Sequence, residues 1–301
     1  MDYILLTGAT GFIGSNLINH LESINSPLLK RLLILSSIKH TKYPTILHNG
    51  YNISKKTFSD YNIESVLHLG AFTPKDSKTA NDVFRNSSNI TNTISLLQSL
   101  PPSLKVLVFF STIDVYEKMD KIINESTKTI PETIYGYSKL YCEKIIEQWS
   151  IQHDIVHQIL RIGHIYGMGE EKYKKLIPET IRKVIENEDP IIFSSGNELR
   201  SFLNIKDCVR VVLNSLDLKK YIGPTNIASS VSYSVKEIVE LIMAVSNKKL
   251  RPKILNNNLQ VRNLVFDNKK MQDYLGKEEI QMFEGLKDEY RYFEQLSRQL
   301  S

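Results

Sequence analysis

At 301 residues the chain can bury a full core as one large or two modest domains. A composition of 42% hydrophobic and 24% charged residues is that of a globular protein, not a disordered or fibrous one. A formal charge of +5 carried by scattered lysines, with no arginine-rich tract, argues against nucleic-acid binding, and no apolar run approaches the roughly 18 residues of a membrane span. Cys142 and Cys208 form neither a disulfide framework nor a metal-ligand cluster, and "MDYILLTGATG" lacks the basic region and cleavage site of a signal peptide, so a reducing cytoplasm is the expected location.

The first element is a short apolar run, Tyr3 to Leu6, that ends at a glycine-rich turn. From Phe12 onward, Phe12, Ile13, Leu17, Ile18 and Leu21 recur at helical spacing. Gly8, Gly11 and Gly14 lie between strand and helix as G-x-x-G-x-x-G. A dinucleotide site needs that arrangement because the chain must turn sharply and its backbone must approach a pyrophosphate. The helix must also pack tightly on the strand, with its N-terminal N–H groups facing the anion. The spacing differs from G-x-G-x-x-G, and the strand–turn–helix context carries the assignment.

Strand-like runs follow at 31–37, 65–71, 105–111 and 157–162, with helical patterns between them, among them Asn86 to Leu100 and Leu140 to Ile151. Alternating strands and helices predict an α/β fold, a Rossmann-type doubly wound parallel sheet with ligands at the C-terminal ends of its strands. Past Gly169 the alternation weakens. Residues 176–188 and 205–217 read as helices, 190–205 as two short strands around a Ser-Gly-Asn turn, and 284–300 as an exposed terminal helix.

The end of the second strand bears on the cofactor. An NAD site usually has an acidic residue about 20 residues past the glycines, accepting from the ribose hydroxyls. Here no acidic residue lies between Glu22 and Asp60, and the strand ends in Ser36 and Ser37, followed by Lys39, His40 and Lys42. Hydroxyls and cations suit a ribose 2′-phosphate, which favours NADP over NAD. The alternative is a basic loop with NAD held through backbone groups.

The chemistry centres on "YGYSK". Tyr135 and Lys139 are four residues apart and share one face of a helix, and a strand ends about 23 residues earlier at Ser111 and Thr112. A phenol is a poor base at neutral pH, but a neighbouring ammonium and an oxidised nicotinamide both favour phenolate. A hydroxyl such as Thr112 then holds the substrate oxygen whose proton moves. Tyr137 has no lysine four residues on and reads as a surface or structural residue.

Taken together, the motifs resemble an extended short-chain dehydrogenase/reductase of the NAD(P)-dependent nucleotide-sugar epimerase/dehydratase/reductase family, over nearly the whole chain. "TGATGFIG" is similar to the cofactor loop, "SVLHLGA" to the fourth strand, and "NSSNITNTISLL" to an Asn-rich helix with Asn86 and Asn92 in the family positions. "STIDVY" and "YGYSK" resemble the catalytic core, and "RSFLNIKDCV" a motif whose arginine contacts the nucleotide diphosphate.

The resemblance implies Thr112, Tyr135 and Lys139 as catalytic residues. It implies Gly8, Gly11, Phe12, Ile13, Gly14, Ser36, Ser37, Lys39, Asn52, Ile53, Leu69, Gly70, Ala71 and Asn86 around the cofactor, with Tyr135 and Lys139. It places Thr73, Thr112, Ile113, Asp114, His164, Arg200 and Arg262 at the substrate, a nucleotide-diphosphate sugar. It further implies an NAD(P)-binding Rossmann domain over 1–166, a smaller and mostly substrate-binding domain over 167–301 with segments crossing back to the main sheet, and a homodimer.

Two departures matter. Family dehydratases carry Thr-Asp-Glu where this chain has Thr112-Ile113-Asp114, which leaves elimination without a positioned acid. His164 stands where a substrate-contacting Asn is usual. The expected activity is therefore NADP-dependent reduction of a nucleotide-linked 4-keto-deoxysugar. A 4-epimerase, using the same three residues with NAD, is the alternative; a 4,6-dehydratase and a catalytically silent cofactor-binding protein rank lower.

Overall fold

A computed structural model describes residues 1–255 and 262–300. In chain order the elements begin with β1 (Asp2–Thr7), α1 (Phe12–Ser23), β2 (Leu32–Ser36), β3 (Thr45–Leu47), β4 (Asn62–His68), α2 (Ser77–Ala80) and α3 (Val83–Ser99). Then come β5 (Val106–Thr112), α4 (Ile134–Gln152), β6 (Val156–Ile162), β7 (His164–Tyr166), α5 (Leu176–Ile185), β8 (Ile191–Ile192) and β9 (Leu199–Asn204). The last are α6 (Ile205–Ser215), β10 (Thr225–Ile227), β11 (Ser232–Ser234), α7 (Val235–Ser246), β12 (Lys253–Ile254), α8 (Lys269–Tyr274) and α9 (Met282–Leu300). No described helix is long and apolar enough to cross a membrane.

The chain forms two compact units. The first comprises Met1–Glu117, Ser126–Ile162 and Val209–Thr225; the second comprises Lys118–Glu125, Gly163–Cys208 and Asn226–Ser301. The main sheet runs β10-β6-β5-β4-β1-β2-β3, with the pairs β5–β6, β4–β5, β1–β4, β1–β2 and β2–β3 all parallel. Its central strands are buried on both faces and therefore read as nearly continuous apolar runs: Ile4 to Leu6, Leu32 to Leu35 and Leu107 to Phe110 are all buried. Leu96, Leu97, Cys142 and Ile146, from α3 and α4, close one face of this core.

Both helices start earlier than their apolar periodicity indicates, because polar side chains cap them. Asp82 accepts from the Arg85 amide ahead of α3, and Thr133 accepts from the Gly136 amide ahead of α4. The early start of α4 sets Tyr135 and Lys139 in its first turns. Beneath the helix Glu143 pairs with Arg161 of β6, at 3.0 Å to Nε and 2.7 Å to Nη2, and the Ser111 hydroxyl donates to the same carboxylate. Both side chains are sealed from water, at 5% and 1% exposure, so their geometry must offset a desolvation cost of several kcal/mol per ion.

In the second unit β9 pairs parallel with β7 and antiparallel with β11, and β8 pairs with β12. The two strands expected around the Ser-Gly-Asn turn therefore exist but have different partners, and the turn at Gly196 joins two sheets. The terminal helix is not the exposed element expected from sequence. Met282, Leu286, Tyr290 and Phe293 lie along one face of α9 and pack with Ile177, Ile181, Ile238 and Ile242 of α5 and α7. Gly285 lets α9 cross Tyr166, whose hydroxyl would stand 2.1 Å from an added Cβ. Glu289 of α9 interacts with Glu170; both are buried, the Glu171 charge favours their protonated forms and Lys175 opposes it.

Two consequences are testable. Glu143→Ala leaves Arg161 charged and unpartnered in the core and should cost about 3–5 kcal/mol of stability, read by denaturant unfolding. Burial above all holds the Glu170 and Glu289 carboxyls above their ordinary value of 4.5, with the Glu170 charge adding to the rise at Glu289. The unfolded chain therefore ionises first, and stability should fall as pH rises from about 4.5 toward neutrality. Glu289→Gln should flatten that decline in melting temperature measured across the same range.

Candidate active site

The glycine turn is built as a cradle. Gly8 has φ +72°, and an added Cβ there would meet the Gly70 nitrogen at 2.7 Å and the Leu69 carbonyl carbon at 2.9 Å. A Cβ at Gly14 would lie 2.2 Å from the Gly8 carbonyl oxygen, so α1 packs directly on the turn. Gly11 caps α1 without a side-chain hydrogen bond, and no acidic residue stands in the first turn. That helix terminus is thus shaped and polarised for an anion, and the strand–turn–helix cradle fits a dinucleotide pyrophosphate.

A polar chain runs under this cradle. Thr7 accepts from the Gly70 amide at 2.7 Å and meets His68 Nδ1 at 2.9 Å, while His68 Nε2 meets Thr93 at 3.1 Å. Thr93 donates its only proton to the Asn89 carbonyl at 2.7 Å, so it must accept from His68 Nε2–H, and Thr7 must donate to Nδ1. The partners thereby select the neutral Nε2–H tautomer. Burial, assisted by the Lys139 charge, pushes the imidazole down to about 3, in keeping with that state. Asn89 continues the chain, accepting from the Phe72 amide at 2.7 Å and donating to Ser138 Oγ at 3.2 Å; Ser138 in turn donates to the Tyr135 carbonyl at 2.8 Å.

At the C-terminal end of β5 the Tyr135 hydroxyl forms side-chain hydrogen bonds with Thr112 and Thr73. Thr112 Oγ1 donates to Asp114 Oδ2 at 3.2 Å. Burial and the Asp114 charge push the phenol well above its ordinary value, with the two threonines opposing. Lys139 is also buried, and its Nζ sits 4.3 Å from the centre of the Phe109 ring. Burial brings it down to about 8, against the pull of Cys142 and Glu143. The lysine therefore loses its proton before the phenol does. Without the positive charge of an oxidised nicotinamide, the second of the two influences expected to favour phenolate, Tyr135 carries its proton at neutral pH.

Gly136 brings these groups together. An added Cβ would meet the Asp114 carbonyl oxygen at 2.4 Å and Pro131 Cβ at 2.8 Å, so a side chain there would push the first turn of α4 off the end of β5. Tyr137 is 52% exposed, matching the surface role expected of it.

Other expected positions fall differently. Ile113 is buried and Asp114 exposed, so no acid replaces the isoleucine. Ser36 accepts from the Ile38 amide at 3.1 Å, Ser37 and Lys39 are exposed, and Lys42 pairs with Glu22 at 3.0 Å. Asn52 and Ala71 are exposed, and Ile53 packs on the core. The Asn86 amide nitrogen donates to the carbonyls of Thr79, Ala80 and Asp82, which locks the α2–α3 connection, and its buried Oδ1 has no hydrogen-bond partner. Asn89, one turn on, is the asparagine of the buried chain. Asn89, Thr93 and His68 were missed, as was Tyr51, whose hydroxyl bonds Thr7 and lies 2.9 Å from where a Cβ on Gly70 would be. The signal was the polar face of α3, where Asn86, Asn89 and Thr93 recur at helical spacing.

In the second unit Arg200 donates to the carbonyls of Leu199 at 2.8 Å and Arg262 at 2.6 Å, so the two arginines are neighbours. Burial and the Arg262 charge hold the Arg200 guanidinium below its ordinary value, with Glu198 opposing. His164 lies within reach of both charges. Two adjacent guanidiniums are the donors that an anion site calls for, with Glu198 acting on Arg200.

Comparison with known proteins agrees with this construction. A Methanocaldococcus jannaschii protein provisionally named UDP-glucose 4-epimerase is 26% identical over 296 residues, covering 94% of this chain and 96% of that one. The Escherichia coli dTDP-4-dehydro-6-deoxyglucose reductase is 28% identical over 261 residues, or 82% of each. The crystal structure of UDP-glucuronic acid 4-epimerase from Bacillus cereus in complex with NAD superposes with a TM-score of 0.82 at 25% identity, covering 98% of this chain and 99% of that one. The model of the NAD dependent epimerase/dehydratase family matches residues 4–228, a span that takes in the glycine cradle, the polar chain and the Thr112–Tyr135–Lys139 cluster, and the chain belongs to that family.

Proposed function

We propose that the protein is an NAD-dependent nucleotide-sugar 4-epimerase. The observation that carries this reading is the Tyr135 hydroxyl held between the Thr112 and Thr73 hydroxyls at the end of β5, beside a glycine turn with no room for side chains. Gly8, Gly11, Phe12, Ile13, Gly14, Leu69, Gly70 and Lys139 would hold the dinucleotide. When bound, the dinucleotide supplies the hydride acceptor and donor at the sugar C4.

The chain's own residues move the proton. Tyr135 accepts the C4 hydroxyl proton and returns it once the ketosugar has turned its other face, while Thr112 orients the oxygen. Burial and the Asp114 charge keep the phenol protonated in the empty site; an oxidised nicotinamide would favour release of that proton to solvent, so Tyr135 would accept the C4 hydroxyl proton only in the loaded site. Arg200 and Arg262 provide the guanidiniums for the substrate diphosphate. Ile113 offers no acid, which argues against elimination. The likeness to UDP-sugar 4-epimerases supports this reading over reduction of a ketosugar.

A second reading, an NADP-dependent 4-ketoreductase, is favoured by Ser36, Ser37 and the exposed Lys39 at the end of β2, where no carboxylate stands. Lys42 supports it less than the sequence implied, since Glu22 engages it.

Incubation with UDP-, dTDP-, GDP- and CDP-hexoses should give 4-epimers without net cofactor consumption. Stoichiometric loss of NADPH absorbance with a nucleotide-4-ketosugar, and no isomerisation of the hexoses, would instead establish the reductase. Tyr135→Phe should lower turnover by about 10²–10⁴-fold while substrate binding persists. Unchanged turnover would remove Tyr135 from the reaction.

A further inference from the structure

His164 opens β7 and faces Phe202 across the β7–β9 pair, with ring centroids 5.5 Å apart. Its Nδ1 is buried and has no hydrogen-bond partner. The charges that act on it are all positive: Arg200 of β9 most strongly, then Lys175 at the N-terminal end of α5, then Arg262. Burial and those cations push the imidazole down to about 4, so it stays neutral at physiological pH. Glu198, the carboxylate acting on Arg200, is itself buried and accepts from Ser194.

A buried nitrogen without a partner is costly, and burial together with three nearby cations disfavours its protonation. One class of guest reverses both conditions: a multiply charged anion cancels the surrounding charge and presents acceptor oxygens. We propose that His164 takes up one proton when the diphosphate of a nucleotide sugar binds at Arg200 and Arg262, becoming an imidazolium that donates from Nδ1 to a phosphate oxygen. This rests on the nucleotide-sugar reading above and adds to it a titrating anion contact. An asparagine amide in the same place would donate without titrating, and a neutral imidazole in its Nδ1–H tautomer would donate without taking up a proton.

Linkage fixes the sign. A group protonated only in the complex makes binding tighter as pH falls, by up to about tenfold per pH unit between its free and bound pKa values. Diphosphate esters do not titrate between about pH 5.5 and 8, so a proton taken up there belongs to the protein.

The test is calorimetric titration of the NAD-loaded wild type and of His164→Asn with UDP-glucose, dTDP-glucose, CDP-glucose and GDP-mannose. Titrations near pH 6.5 in two buffers of different ionisation enthalpy count the protons. The expected result is uptake approaching one proton in the wild type and none from this source in His164→Asn, with affinity steeper in pH for the wild type. Binding without uptake, or equal uptake in the variant, overturns the proposal while leaving the nucleotide-sugar reading intact. Binding of none of the four overturns both. If His164→Asn does not fold, long-range ¹H–¹⁵N spectra of the wild type decide: an imidazolium pattern at His164 on saturation supports the proposal, and a neutral pattern overturns it.

Discussion

A carboxylate and a guanidinium sealed from water hold α4, the helix of Tyr135 and Lys139, in place. Glu143 of α4 takes both Nε and Nη2 of Arg161 on β6, and the Ser111 hydroxyl on β5 completes the carboxylate's shell. Because neither charge has water to fall back on, the helix cannot slide or rotate without exposing an unpaired ion to the core. The same carboxylate acts on Lys139, one helical turn earlier, and supports its charge against burial. Arg161 also stacks over Tyr116 at 4.8 Å, so the anchor reaches the chain segment that leaves β5. The position of Tyr135 over Thr112 is thus inherited from an ion pair that touches neither.

The second constraint is the polar chain from Gly70 through Thr7, His68, Thr93 and Asn89 to Ser138. Every hydroxyl in it has one proton and one place to send it, so the chain has a single sense of donation. It ties the wall of the glycine cradle to the backbone of Tyr135, linking the expected cofactor turn and the proposed acid–base residue without an exposed side chain. Placing such a chain between apolar strands is expensive unless each group is satisfied, and here the histidine is satisfied only when neutral.

What could be read from sequence depended on how local the physics was. The glycine turn, the buried strands and the Tyr135–Lys139 spacing are set by neighbours within a few residues, and all were legible. Helix starts were less so: the caps Asp82 and Thr133 precede the apolar pattern that marks the helices. Asn86 and Asn89 differ by one turn of α3, and only the distant partners Phe72 and Ser138 tell them apart. The buried face of α9 was present as Met282, Leu286, Tyr290 and Phe293, yet its polar remainder dominated the composition. The interleaved segments 118–125 and 209–225 depend on contacts between residues far apart in the chain and left no local mark.

Gly136 shows how one missing methyl group governs what variation the site can absorb. On one side Tyr135 is committed to Thr112 and Thr73; on the other Tyr137 is half open to solvent. Between them the backbone of α4 rests on the Asp114 carbonyl with no space for a side chain. The stretch is therefore open to substitution on the solvent side of the first turn of α4 and rigid at its glycine. Replacements at the exposed Tyr137 and Tyr141 leave that packing intact, whereas every replacement at 136 lifts the first turn of α4 away from the end of β5.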